Sequence, residues 1–183
     1  MADVTPWRQT KRLQFLLLDM PTSPKTVLHP WLRYSSVPAM TLDLRCNIDE
    51  LYVRELHRPI TGWDLTRLVC EPAIPSMRIF SDYYPWDIEI GASTPVGVTM
   101  HDMFRAIWES TQSPIRHEDF WNSEMDDGVR ARISNAYHLR CGDNQEALNS
   151  GVRRVDFFMD RVLFEGLVRT KDGSFEMKIK KWS

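Results

Sequence analysis

An α+β fold is what this sequence predicts: a mainly antiparallel sheet, two principal helices packed on one face and a C-terminal β-hairpin. Three observations carry that prediction. Period-two alternation recurs early, midway and late in the chain, as in half-buried strands. Two capped helical patterns stand between the second and third of these blocks. The regular strand–helix alternation and Gly-rich turns of a doubly wound parallel sheet are missing.

Taken in order, residues 1–26 mix polar residues with Pro6, Pro21 and Pro24 and read as an N-terminal arm with a short apolar stretch at Phe15 to Leu18. Residues 27–183 read as one domain. Thr41 to Arg45 alternates as a short strand, and the Pro-interrupted stretch Asn47 to Pro75 is long for a loop, with a short helix expected near Asp49 to Leu56. Met77 and Ile79, then Trp86, Ile88 and Ile90, alternate with polar neighbours across the hairpin-length loop Ser81 to Pro85. Thr99 and Asp102 form a capping box for a helix whose apolar stripe is Met100, Met103, Phe104, Ile107 and Trp108. Pro114 ends it, and His117 to Trp121 reads as a short helical turn.

Asp126 and Asp127 place negative charge at the start of a further helix, with Val129, Ile133, Ala136, Tyr137 and Arg140 on one face and Gly142 at its end. Val152 to Phe158 and Val162 to Thr170 read as strands. Lys171-Asp172-Gly173 then turns the chain into the alternating segment Ser174 to Trp182.

The chain has 183 residues, 43% of them hydrophobic, and a formal net charge of −2. A single core suffices at this length, since such a chain buries roughly 70% of its unfolded surface. Near-zero charge argues against coating nucleic acid, which needs many Lys and Arg to displace counterions. Cys46, Cys70 and Cys141 are too widely spaced for zinc and odd in number, and read as reduced thiols. Lys11 and Arg12 ahead of Leu13 to Leu18 only faintly resemble a signal peptide: Gln14 interrupts the run, Asp19 ends it, and it is too short to span a membrane. A cytoplasmic protein without membrane or nucleic-acid partners is expected.

Motifs for phosphate cradles, zincins and serine-hydrolase elbows are absent, and no cofactor or metal is expected. The five histidines, 29, 57, 101, 117 and 138, never fall at i, i+4. His117-Glu118-Asp119 reads as a solvated helix start and Cys70 has no adjacent base. His101 and Asp102 open the best helix, where an acid or base could face a cleft; the simpler reading makes Asp102 the cap and leaves His101 in water. In an extended chain Arg154 and Asp156 share a face, so they could orient a substrate, or Asp156 could tie its strand to the helix ending at Arg140. Of seven tryptophans (7, 31, 63, 86, 108, 121 and 182), Trp86 and Trp108 fall in the core by periodicity. Trp31 and Trp63 sit in irregular segments, where they would line a pocket or partner groove or simply pack the loops onto the sheet.

Six segments then suggest a family. Leu28-His29-Pro30-Trp31-Leu32, Leu42-Asp43-Leu44-Arg45, Pro72-Ala73-Ile74-Pro75, Tyr84-Pro85-Trp86-Asp87-Ile88, Val98-Thr99 with Asp102, and Arg153-Val155-Asp156-Phe157 followed by Phe164-Glu165-Gly166-Leu167 occur in order. In this the chain resembles the fungal, basidiomycete-type domain-of-unknown-function family 6699 over residues 27–182. The resemblance implies a fungal intracellular protein and brings no reaction, cofactor or catalytic residue.

Two functions are consistent with these features. The first is an interaction module that docks a protein partner or a second copy through its Trp-bearing loops or sheet face. The alternative is a small-molecule-binding protein or cofactor-independent enzyme of fungal specialised metabolism. It would have an aromatic cavity near Trp31, Trp63 and Trp86, with Asp156, Arg154 and His101 as weak catalytic candidates. That alternative calls for an enclosed cavity of about 300 Å³ or more.

Overall fold

The computed structural model describes residues 26–182; the apolar stretch at Phe15 to Leu18 and the rest of the arm before Thr26 lie outside the described residues. Strands β1 (Val27–Leu28), β2 (Met40–Asp43), β3 (Tyr52–Val53), β4 (Cys70–Glu71), β5 (Ser76–Ser81), β6 (Tyr84–Gly91), β7 (Leu163–Arg169) and β8 (Phe175–Lys180) make two sheets. β1 and β4 pair alone, and the main six-stranded sheet has the order β3-β2-β7-β8-β5-β6. The fold is α+β with antiparallel pairing dominant, as the sequence predicts.

β5 and β6 form a hairpin with Met77 opposite Ile90 and Ile79 opposite Ile88. β7 and β8 form the C-terminal hairpin, with Phe164 opposite Ile179 and Leu167 opposite Met177. The hairpins join through the parallel pair β5–β8, where Ile79 faces Phe175. Local alternation cannot foretell this, because it specifies a strand's faces and not its neighbours. In each strand the alternate residues, such as Met40, Leu42, Met77, Ile79, Phe175 and Met177, are buried.

Helices are α1 (Gly62–Leu65), α2 (Met100–Gln112), α3 (His117–Phe120), α4 (Asp127–Cys141) and α5 (Gln145–Asn149). α2 starts as predicted: Thr99 Oγ1 accepts from the Asp102 N–H and Asp102 Oδ2 accepts from the Thr99 N–H, at 3.1 and 3.0 Å. Met100, Met103, Phe104 and Ile107 are buried against the sheet, with Phe104 edge-on to Phe164 at 5.6 Å. Trp108, expected in the core, is 38% exposed. At 100° per residue it stands on the flank of the stripe centred on Met100, Ile107 and Thr111, so part of the ring stays in water.

Two further expectations change. The stretch 49–56 holds 3₁₀ turns at Ile48–Glu50 and Arg54–Leu56 with β3 between them, so no continuous helix forms. Val152 to Phe158, read as a strand, becomes a 3₁₀ turn over Arg154–Phe158. Asp156 Oδ2 accepts from the Arg153 N–H at 2.8 Å, a local bond that competes with a ladder. The Arg154 N–H donates to the Ser113 carbonyl at 2.9 Å, which fastens the turn to the end of α2.

The core has two parts. A large cluster lies between the sheet, α2 and the first 60 or so described positions, and a small one joins Met125, Val129, Ile133 and Phe157 beneath α4. Trp86 packs against both. Gly166 shows how closely the chain crosses itself: at φ 132, an added Cβ would sit 2.7 Å from the Tyr34 nitrogen.

Candidate functional site

The predicted site residues do not converge. Asp156, 3% exposed, accepts two hydrogen bonds from Arg140, Nε to Oδ1 at 2.7 Å and Nη2 to Oδ2 at 2.9 Å. This bidentate geometry is strong, and Asp156 raises the Arg140 pKa through the hydrogen bond. The expected side-by-side arrangement of Arg154 and Asp156 is therefore corrected: in a 3₁₀ turn residues two apart point in different directions, and Arg140 takes the carboxylate. Asp156 ties the turn to the last turn of α4.

Arg154 goes instead to the aromatic cluster, its guanidinium carbon 4.7 Å from the Trp86 ring centroid. Trp86 is edge-on to Tyr84 at 5.1 Å and to Phe157 at 4.8 Å, and Tyr84 stacks on Phe158 at 4.7 Å. The Tyr84 hydroxyl meets the Ser110 hydroxyl at 2.9 Å. Burial pushes the phenol up to about 12, outweighing the lowering by Ser110 and Arg154, so Tyr84 keeps its proton at neutral pH. Burial likewise raises the Cys46 thiol to about 11 and the Cys70 thiol upward, which leaves both as poor nucleophiles.

His101 is exposed on the first turn of α2, in water as the simpler reading has it. Asp102 is buried, which alone would raise its pKa, but hydrogen bonds from Ser93 and Thr99 hold it below the usual carboxylate range. Trp31 is 7% exposed, packed edge-on to His29 at 5.0 Å and covered by the Arg67 guanidinium at 4.8 Å. Burial lowers the His29 pKa, with Arg67 and Arg33 adding to it, and neutral His29 Nδ1 accepts from the Trp31 N–H at 3.2 Å.

Trp63 is different: it is 86% exposed. It rides on α1, and the next residue, Asp64, fixes that helix. Asp64 accepts from Arg58 at 2.7 and 3.1 Å, and from the Thr61 N–H and hydroxyl at 2.9 and 2.7 Å. These bonds, Arg58 first, hold the Asp64 carboxyl far below its ordinary range.

A groove of about 700 Å³ opens between α4 and the segment that follows the 3₁₀ turn. Its apolar lining includes Val129, Ala136, Phe157, Phe158, Met159 and the rim residue Leu139, which is 72% exposed. Tyr83, Asp126, Arg132, Asp160, Arg161 and Lys181 also line it. Trp31, Trp63, Trp86, His101, Arg154 and Asp156 are not among its walls. Sequence reasoning missed this place. Its one signal was Leu139, an aliphatic residue off the buried face of α4 and seven positions from Arg132, a spacing that puts both on a second stripe.

Among the described residues, no group of three His, Cys, Asp or Glu side chains could hold a metal ion, and no helix is long and apolar enough to cross a membrane. Cys46, Cys70 and Cys141 are free. No curated protein and no solved structure matches the chain. Residues 40–173, from β2 through α4 to the turn before β8, match the family of unknown function DUF6699, and the chain belongs to that family.

Proposed function

We propose that this chain is an interaction module that docks a protein partner or a second copy of itself, with Trp63 as its anchor. The observation that carries the reading is an 86% exposed tryptophan on a rigid mount. Large aromatic side chains contribute most where they leave water on binding. The Asp64 bonds to Arg58 and Thr61 order the mount beforehand, which reduces the entropy lost on docking. The Cys46 and Cys70 thiols, raised by burial, and the phenol held at about 12 support a binding role over nucleophilic chemistry. A fungal, cytoplasmic setting belongs to the same proposal; it rests on the family resemblance and the free cysteines.

A photo-crosslinking side chain in place of Trp63, introduced in the native cell, is expected to trap one partner species or a second copy. Trp63→Ala should weaken that complex by about 2 kcal/mol, roughly 30-fold, with the melting temperature unchanged. A crosslink-free protein, or an unaltered affinity, would overturn the proposal.

The groove favours a second reading, a small-molecule-binding protein. Its volume of about 700 Å³ lies within the range of ligand sites, and its apolar wall is joined by the charged residues Asp126, Arg132, Asp160, Arg161 and Lys181.

A further inference from the structure

We propose that the groove beside α4 binds a small amphipathic organic anion, an aromatic or aliphatic body carrying one carboxylate; this inference rests on the small-molecule reading above. The charges are the first reason. Of the three cations on the groove, Lys181 is matched by Asp160 at 2.6 Å. Arg132 and Arg161 have no carboxylate within ion-pair distance among the described residues. The remaining acid, Asp126, already receives the Val129 N–H at 2.7 Å as the cap of α4.

The second reason is that Arg161 is held in place. Its guanidinium carbon lies 4.4 Å from the Tyr83 ring centroid, and its backbone N–H donates to the Phe158 carbonyl at 2.9 Å. Two residues earlier, Met159 adopts φ 57 and ψ −113, a conformation that side-chain-bearing residues rarely take. This turn carries the chain out of the 3₁₀ helix along the groove. Backbone strain of this kind gathers at ligand sites, where the surrounding packing enforces it. Third, Phe157, Phe158 and Met159 supply apolar wall beside these cations, so a ligand would need both an apolar body and a negative end.

Residues 1–25 are a poorer occupant. Their side chains carry four cations (Arg8, Lys11, Arg12 and Lys25) against two acids (Asp3 and Asp19), which would bring like charge to Arg132 and Arg161.

Three probes of one shape separate the possibilities by titration calorimetry and amide chemical-shift mapping on the full chain: 1-naphthaleneacetate, its primary amide and 2-(1-naphthyl)ethylamine. The carboxylate is expected to bind saturably at the groove, about tenfold or more tighter than the amide, with the amine weakest. Arg132→Gln and Arg161→Gln should each remove most of that preference, whereas Arg116→Gln, which removes an exposed cation away from the groove, should not. Equal binding of all three probes at the groove would overturn the anion inference and leave the small-molecule reading standing. No saturable binding at the groove would overturn both. Displacement of the carboxylate by a peptide of residues 1–25 at lower concentration than by free naphthaleneacetate would assign the groove to the chain's own arm and likewise overturn the inference.

Discussion

α2 and α4 are of similar length, yet they meet the rest of the molecule differently. α2 buries Met100, Met103, Phe104, Ile107 and Thr111, and its apolar stripe closes over a sheet whose inner face is also apolar. α4 buries only Val129, Ile133 and Cys141 fully. Its cluster with Met125 and Phe157 is small, and the helix is tied down by polar links. Arg140 reaches Asp156, and the Tyr137 hydroxyl donates to the Leu148 carbonyl at 2.6 Å. The first region is held by volume and the second by directed bonds. Beside the second lies a groove with two guanidinium groups that have no carboxylate within ion-pair distance among the described residues. A thinly packed helix stitched down by charges leaves room for a ligand beside it.

The largest effect should come from breaking the ion pair. Arg140 and Asp156 are 10% and 2% exposed at the side chain, so Arg140→Ala leaves a buried carboxylate without its cation. We expect a loss of about 3–5 kcal/mol in urea denaturation. The double variant Arg140→Met with Asp156→Asn should recover most of it, because removing both charges avoids the desolvation penalty while the amide oxygen still accepts from the Arg153 N–H. If the double variant is no better than the single, the bonds of α4 are not what distinguishes this region.

The sheet region should instead answer to space. Gly166→Ala forces a Cβ to 2.7 Å from Tyr34 backbone at φ 132, and a loss of about 2–4 kcal/mol is expected. A neutral outcome would mean the crossing of residues 33–34 over β7 is loose.

The smallest effect is one of pH. His29, beside Trp31 and under Arg67, has a folded-state pKa below its ordinary 6.5 because of burial and then the nearby guanidinium groups. The unfolded chain therefore takes up this proton first, and stability falls as pH drops through about 6.5. His29→Asn, which keeps an acceptor for the Trp31 N–H, should flatten the urea midpoint in that window; an unchanged slope would show that His29 is not its source.

Much of the scaffold was legible beforehand because its causes are local. Alternation at Met77 to Ile79, Trp86 to Ile90 and Phe175 to Ile179 marks strands, and the Thr99–Asp102 box marks the start of α2 within one residue. The segment at 152–158 misled because Val152, Arg154 and Asp156 alternate like a strand, while Asp156 three residues after Arg153 is also a cap. The cap prevailed since Arg140, sixteen residues away, fixes that carboxylate. The groove was scarcely legible: its walls come from 83, 126–139, 157–161 and 181, and no window of sequence contains them together.

What the amino-acid order alone determined is the long strands β5, β6, β7 and β8, the helices α2 and α4 with their caps, and the family, each written in spacing over a few residues or in motifs kept in order. What the tertiary structure decided is who meets whom: the parallel join of β5 to β8, Arg140 rather than Arg154 on Asp156, Trp63 left in water while Trp31 is covered, and a charged groove beside α4. The physical reason is range. Periodicity and capping act over one or two turns of chain, whereas burial, ion pairing and cavity shape depend on segments that become neighbours only when the whole core closes.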